Sequence, residues 1–529
     1  MRPSGLQNVT DPVLRHEVHY GSRVVRCFAE RPRHIDALLQ DTAHRLPEAT
    51  SLVLGDQRVS YRALAETVSN VAANLLALGL VPGDRVALAL GNGLAFIELL
   101  LACARAGLIA VPMNVRQRRP ETAYMLGDCG ASVLVHDAAF GPNVPEHEST
   151  PALRHVFVVG GEASYDRLRM RAERQSWPDV AEEAVFCLLY TSGTTGRPKG
   201  AKLTHLGVVH SVLHYVHHLR LREGDVAILA VPASHVTGLV AVLLPMLRVG
   251  GTMVMMEAFK AREFLRLAAQ ERMSYTLMVP AMYNLCLLDP EFAAYDLASW
   301  RVAAFGGAPM PQATVARLGQ ALPDLTLVNV YGSTETSSPA TMLPFGAIES
   351  HRDTVGVPLP CADVIVVDEA GREVPPGDSG EILIAGPMVV PGYWENETAD
   401  RASFVGGYWI SGDIGSKDAD GFVRVLDRKK DMINRGGYKI YCTELESVLS
   451  QHPAVVECAV VGRPDPVLGE RVHAFIYNED RPADPADIRS WCGERLSDYK
   501  VPDLVTFLDA PLPRNANGKV LKTALREQG

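Results

Sequence analysis

From Tyr61 to Val330 the chain alternates between two kinds of apolar stretch, and this alternation limits its fold more than any other feature. Tyr61–Leu78 places apolar residues every three or four positions, stops at Gly79 and is followed by Pro82-Gly83, which predicts a helix with its stop signal. Arg85–Leu90 is short and apolar, as a buried strand would be, and Ala95–Ala106 is a second helix closed by Gly107. Strands are expected at 108–111, 132–135, 155–159, 226–231, 252–256, 275–279, 301–305 and 326–330, with a helix at 121–127. The pattern predicts an α/β fold, with parallel or mixed sheets flanked by helices. Beyond about Val355 the texture changes to short strands with Gly/Pro turns, at 364–367, 381–384, 408–411 and 421–425, a small β subdomain. The charged run Asp427-Arg428-Lys429-Lys430-Asp431 then precedes about 100 residues with βαβ content of their own. The expected organisation is a flexible tail at 1–30, a large domain at 31–426 with the β subdomain at about 355–426, a linker at 427–431 and a small α+β domain at 432–529.

A chain of 529 residues exceeds what one core supports. A net charge of −10 and a pI near 5.9 argue against a nucleic-acid partner. The nine cysteines are scattered without a Cys-x-x-Cys pair, which fits reduced thiols in a cytoplasmic protein and offers no structural zinc site. Met1–Arg33 has no apolar run and is not a secretory signal. Val236–Met256 is apolar but broken by Pro245, Arg248, Gly250 and Gly251, so a core helix running into a buried strand is expected there rather than a membrane span.

Residues 190–200 read Tyr-Thr-Ser-Gly-Thr-Thr-Gly-Arg-Pro-Lys-Gly, directly after the apolar stretch Ala184–Leu189. Glycines at 193 and 196 let backbone N–H groups turn toward a polyanion, and Thr191, Ser192, Thr194 and Thr195 add hydroxyl donors. Lys199 supplies a compact positive charge. This is a phosphate grip. It is not a P-loop, because Pro198 stands where that pattern has Gly-Lys-Ser/Thr opening a helix.

Further motifs follow in order. Phe305-Gly306-Gly307-Ala308-Pro309-Met310 is small enough for a flat ring to lie on the backbone. Asn329-Val330-Tyr331-Gly332-Ser333-Thr334-Glu335-Thr336 supplies an aromatic ring and a carboxylate of the kind a hard cation prefers. In Ser411-Gly412-Asp413 the carboxylate is suited to accept from two vicinal hydroxyls. Asp427–Tyr441 carries the charged run and Gly436-Gly437, and Pro513–Lys519 ends on a lysine.

Together these segments resemble the signature motifs of the adenylate-forming superfamily, of the AMP-forming acyl-CoA synthetase and aryl-CoA ligase type. The resemblance spans all but the first 30 or so residues. It implies ATP, Mg²⁺ and coenzyme A as cosubstrates, and a C-terminal domain that rotates between two half-reactions. In that reading Thr191, Ser192, Gly193, Thr194, Thr195 and Gly196 hold phosphates with Lys199, and Gly307, Ala308, Asn329, Tyr331 and Gly332 border adenine. Thr334 bonds phosphate, Glu335 holds Mg²⁺, Asp413 takes the ribose, and Arg428 contacts ribose or α-phosphate. Lys430 is the hinge, Gly436 and Gly437 line a pantetheine tunnel, and Lys519 is the catalytic cation of adenylation.

The segment Pro232–Leu239 has no carboxylate, unlike that of amino-acid-activating relatives. His235 matches the histidine that closes the carboxylate end of the acyl pocket in acyl- and aryl-CoA synthetases. The implied pocket lining is Val236, Thr237, Ala241, Met282, Phe305, Gly332 and Ser337, mostly apolar. Ala304 stands where hydroxycinnamate ligases have a lysine, which favours a fatty or simple aromatic acid, with a lean to fatty. A carrier-protein pantetheine is the alternative acceptor, and a non-catalytic nucleotide-binding protein is disfavoured by intact Lys199, Glu335, Asp413 and Lys519. A homodimer is left open.

Overall fold

In the computed structural model, residues 12–161, 164–172, 176–191, 197–308, 310–479, 481–514 and 520–528 are described. The chain forms two compact units, Met1–Val364 with Ile384–Trp409, and Ile365–Leu383 with Ile410–Gly529. It passes between them within the strands Asp363–Val367, Ser379–Ala385 and Tyr408–Lys417. This grouping differs from the boundary expected at 426/427. Residues 410–426 go with the C-terminal residues because Asp413–Lys417 pairs antiparallel with Val423–Arg428, with a bulge after Ile414, and Val423–Arg428 leads through a closed turn into Ile433–Arg435.

The first unit carries two large sheets. One has six strands in the order Lys199–Thr204, Val185–Thr191, Ile109–Pro112, Arg85–Ala89, Val133–Asp137 and His155–Val159. All its pairings are parallel except that of Lys199–Thr204 with Val185–Thr191. The other has nine strands, and its centre, from Thr326–Ser333 through Val302–Gly306, Tyr275–Met278 and Val226–Leu229 to Thr252–Met255, is parallel. The expected strands are short and apolar because both faces of such sheets are covered. The helices Tyr61–Ala77 and Leu94–Ala106 form as their spacing requires, the first capped by the Ser60 hydroxyl and the second ended by Gly107 at φ 68°.

Val236–Met256 is resolved into a π-helix at Thr237–Leu243, an α-helix at Leu244–Val249 and a strand at Thr252–Met255. The π-helix opens at Gly238, where a Cβ would collide with the Pro232 carbonyl.

The expected flexible tail at 1–30 needs correction. Residues 1–11 lie outside the described residues, but Leu14–His19 and Arg23–Phe28 form an antiparallel hairpin. Cys27 and Phe28 are fully buried in the first unit. The Phe28 N–H donates to His210 Nε2 at 3.2 Å, and the Tyr20 hydroxyl meets Thr204 Oγ1 at 2.7 Å. Arg31 forks onto Glu17 and Glu182 at 2.7 and 2.8 Å, and Arg23 donates to the Val390 and Pro391 carbonyls. The burial of one apolar corner and a set of long-range ion pairs, rather than any local hydrophobic run, orders this segment.

The second unit contains a sheet in the order Tyr438–Ile440, Ile433–Arg435, Gly469–Tyr477 and Glu457–Asp465, with Leu504–Leu508 parallel to Gly469–Tyr477. The helices Cys442–Leu449 and Pro485–Gly493 pack on it through Leu445, Leu449, Ile488 and Cys492. The nine cysteines are all free thiols, eight of them buried.

Candidate active site

The phosphate-grip segment is flanked by a pair of antiparallel strands. Val185–Thr191 leads in, Lys199–Thr204 returns antiparallel, and Thr191 stands directly opposite Lys199. Ser192, Gly193, Thr194, Thr195 and Gly196 lie outside the described residues. Tyr124 fixes the exit of the loop, its hydroxyl donating to the Pro198 carbonyl at 3.0 Å. Gly200 packs closely on Tyr190, since a Cβ there would come 3.2 Å from its ring.

Glu335 comes from a different sheet, on the 3₁₀ turn Thr334–Thr336 that ends the strand Thr326–Ser333. The turn is tightly made. The Ser333 N–H donates to Thr336 Oγ1 at 2.9 Å, while Ser337 and Ser338 take φ values of 48° and 81°. Gly332 has no room for a Cβ against the Ser338 carbonyl. The Glu335 carboxylate is buried, at 7% exposure, and accepts from Ser333 Oγ at 2.6 Å, Tyr393 Oη at 2.9 Å and Thr191 Oγ1 at 3.4 Å. Among the described residues its hydrogen-bond partners are hydroxyls, none of them charged. A buried ionised carboxylate needs compensation, and one held by neutral donors with acceptor capacity to spare fits a divalent cation. Lys199 stands nearby with its Nζ 4.9 Å from the centre of the Tyr393 ring. Thr191, Lys199 and Glu335 are therefore brought together.

The residues expected to border adenine fall at sheet ends. Gly307 takes φ 77° and, with Ala308, is exposed after Val302–Gly306, and Pro309 is outside the described residues. The Asn329 amide nitrogen donates to the Thr354 carbonyl at 2.9 Å, which fixes the orientation of the amide. Tyr331 is half-buried on the same strand.

His235 is exposed at the start of the π-helix. Its Nδ1 accepts from the Thr237 N–H at 3.3 Å and lies 3.1 Å from Thr237 Oγ1, which puts the ring proton on Nε2. Although the ring reaches solvent, the protein atoms packed around it lower its basicity by desolvation. Of the expected acyl-pocket residues, Val236, Ala241, Phe305 and Ser337 are buried and Thr237 and Met282 half-buried. Phe305 packs in a core cluster with Met278, Tyr283 and Trp300. The Ser337 hydroxyl is buried and has no hydrogen-bond partner among the described residues.

In the second unit, Asp413 is buried at 3% exposure and Arg428 Nε lies 2.8 Å from its carboxylate. Ser411 orients it, accepting from the Asp413 N–H at 3.0 Å and donating to the Ile382 carbonyl at 2.6 Å. Lys430 is exposed in a turn closed by the Asp431 and Met432 N–H groups on the Arg428 carbonyl. Gly436 and Gly437, at φ 61° and 91°, form the two-residue turn between Ile433–Arg435 and Tyr438–Ile440, a geometry that excludes most side chains. Gly436 borders a cavity of about 400 Å³ with Arg435, Tyr438, Leu468, Asp498 and Tyr499, and the two tyrosine rings stack with centroids 4.5 Å apart. Lys519 lies outside the described residues.

Sequence reasoning missed Tyr393, Ser333 and the tyrosine stack. The segment Pro391-Gly392-Tyr393-Trp394 reads as a turn, and only the pairing of Tyr393 with Ala201 brings it to the grip.

A lysine-bearing pair of antiparallel strands beside a buried, cation-ready carboxylate defines an enzyme that works on a nucleotide polyphosphate. Residues 39–394 match the family of AMP-binding enzymes and 444–519 match the AMP-binding enzyme C-terminal domain. The chain is 37% identical over 493 residues to a feruloyl-CoA synthase of Amycolatopsis, covering 92% of this chain and 97% of that protein. It is 34% identical over 475 residues to a long-chain-fatty-acid–CoA ligase of Mycobacterium tuberculosis, covering 89% and 93%. The structure of O-succinylbenzoate coenzyme A synthetase from Bacillus subtilis, in complex with ATP and magnesium ion, is similar with a TM-score of 0.83 at 30% identity, covering 93% and 98%. The chain belongs to the AMP-binding enzymes, as an acyl-CoA synthetase of the adenylate-forming superfamily.

Proposed function

We propose that this enzyme converts an apolar carboxylic acid, fatty or simple aromatic, to its acyl-adenylate with ATP and Mg²⁺, releases pyrophosphate, and transfers the acyl group to coenzyme A. The observation that carries the reading is the meeting of Thr191, Lys199 and Glu335 at one pair of antiparallel strands.

A carboxylate has no good leaving group, so it is activated by attack on the α-phosphate. Two anions then approach, and positive charge must be in place beforehand. Lys199 meets the phosphates with the loop hydroxyls, and Glu335 would hold Mg²⁺, which when bound neutralises the phosphate oxygens. Asp413 accepts from the ribose hydroxyls, and Asn329 accepts from the adenine amino group while Tyr331 stacks on the ring. His235 presents its Nε2–H to the acid. Lys519 is assigned by its motif to bridge carboxylate and α-phosphate, and Lys430 to the hinge that exchanges it for the Gly436-Gly437 turn. The cavity beside Gly436 supports a pantetheine thiol as the acceptor.

The apolar residues Val236, Ala241, Met282 and Phe305 and the lack of a carboxylate near His235 support an uncharged acid tail. The test is a panel of fatty acids, benzoates and hydroxycinnamates with ATP, scored for pyrophosphate and then for CoA thioester. At least one apolar acid should give both products in equal amounts. Pyrophosphate without thioester in the presence of CoA would reject CoA as the acceptor, and no pyrophosphate with any acid would reject adenylation.

A further inference from the structure

Tyr393 touches both charged groups of the phosphate site. It is almost fully buried, at 4% exposure, and its hydroxyl donates to Glu335 Oε1 at 2.9 Å. The opposite carboxylate oxygen receives Ser333, so the carboxylate plane is pinned from both ends. The Tyr393 ring meanwhile lies beneath Lys199, 4.9 Å from Nζ, within the range where an aromatic face attracts an ammonium. One side chain thus sets the position of the anion that would hold the metal and of the cation that would meet the phosphates.

The backbone around it is built to hold that pose. The Tyr393 N–H donates to Asp400 Oδ1 at 2.6 Å, and Tyr393 bridges Ala201 on the strand that begins at Lys199. A Cβ at Gly392 would run into the Asp400 carboxylate, so the residue before Tyr393 must be glycine for this anchor to form. The Glu335 carbonyl accepts from the Val390 N–H at 2.9 Å, which ties the two segments a second time, and Arg23 holds the Val390 and Pro391 carbonyls from outside.

We propose that Tyr393 is a positioning residue of the phosphate site, its hydroxyl orienting Glu335 toward the metal and its ring orienting Lys199 toward the phosphates. This rests on the assignment of Glu335 to the metal and Lys199 to the nucleotide. Partners that orient a metal-binding group typically change metal affinity by about 10- to 100-fold when removed.

The test is equilibrium binding of a non-hydrolysable ATP analogue, by calorimetry, with Mg²⁺ and with a chelator. The ratio of the two affinities measures how strongly metal and nucleotide are coupled, without any turnover. Tyr393→Phe should lower this ratio by about tenfold and leave the metal-free affinity as in the wild type. Tyr393→Leu should in addition weaken metal-free binding by about two- to fivefold, as the ring under Lys199 is lost. Glu335→Gln is the reference and should abolish the coupling. A wild-type ratio in Tyr393→Phe with coupling lost in Glu335→Gln overturns the role of the hydroxyl while the site assignment stands. Coupling retained in Glu335→Gln overturns the assignment itself. Equal metal-free affinities in the Phe and Leu variants overturn the role of the ring. If Tyr393→Phe does not melt cooperatively, Asp400→Ala, which removes the acceptor of the Tyr393 N–H, carries the test. A reduced ratio there supports the proposal, and an unchanged one overturns it.

Discussion

Asp413 and Arg428 face each other across paired strands, with the guanidinium Nε 2.8 Å from a carboxylate that is itself buried. The pair separates two roles by exposure, because Arg428 reaches solvent and Asp413 does not. Asp413→Asn keeps the shape and removes the charge. If the carboxylate takes the ribose hydroxyls, kcat/KM for ATP should fall about 10- to 100-fold, the worth of hydrogen bonds to a charged group. Arg428→Ala, which removes the guanidinium beside the buried carboxylate, should weaken ATP use as well and in addition lower stability by about 1 kcal/mol. Steady-state kinetics and thermal melts distinguish the two, and an unchanged ATP dependence in Asp413→Asn would remove it from the nucleotide site.

The helix His205–His218 carries a pH liability. His205 Nδ1 accepts from the Ile35 N–H, His210 Nε2 from Phe28 and His214 Nε2 from Cys361, so each ring must be neutral on that nitrogen. Burial pushes His205 down to about 3 and His210 down to about 4, and holds His214 well below the ordinary value. The unfolded chain binds these protons near pH 6.5 and the folded chain does not. Stability is therefore full above about pH 6.5 and is lost as pH falls toward 4, by up to about 1.4 kcal/mol per pH unit for each histidine. Melting temperature measured from pH 7.5 to 4.5 should drop, and His210→Gln should flatten that drop. Equal slopes in both proteins would sink this account.

Deleting residues 12–30 along with what precedes them should not be benign. The cut exposes the seat of Phe28, a side chain worth about 1.5–3 kcal/mol on burial, and leaves His210 Nε2 without its donor. A cooperative melt more than a few degrees lower is expected by calorimetry, and an unchanged melt would make the hairpin dispensable.

The two half-reactions should separate in two variants. Lys519→Ala should slow pyrophosphate release about 10²- to 10³-fold and spare thioester formation from supplied acyl-adenylate. Lys430→Pro should do the opposite, releasing pyrophosphate while thioester production collapses, since proline fixes φ at the position meant to turn. The turn itself tolerates proline, because its closing bonds come from the Asp431 and Met432 N–H groups. Equal losses in both half-reactions, in either variant, would argue against a rotating C-terminal domain.

Much of this was readable in the linear sequence because the motifs are loops at strand ends, where a few consecutive residues make one local structure. Val185–Thr191 and Lys199 needed no tertiary information to be named. Tyr393 did, since its contacts with Glu335 and Ala201 arise only when distant segments pair. The hairpin at 14–28 alternates charged and small apolar residues, so nothing local told a solvated tail from a half-buried ribbon. The bond from the Asn329 amide nitrogen to the Thr354 carbonyl, which holds the amide in place, likewise appears only when the two segments meet. In the wholly apolar run 238–243, spacing could not show whether the helix repeats every four residues or every five.

That last ambiguity has a consequence for how the acid pocket can change. A π-helix is an α-helix carrying one surplus residue, and here the surplus lies between His235 and the helix Leu244–Val249. Loss of a single residue from Leu239–Val242 would let the segment rewind as α-helix, with the histidine and the following helix keeping their places in the fold. If Val236 and Ala241 line the acid, as proposed, the loss of one codon there would change the depth of the pocket by a step while His235 keeps its place.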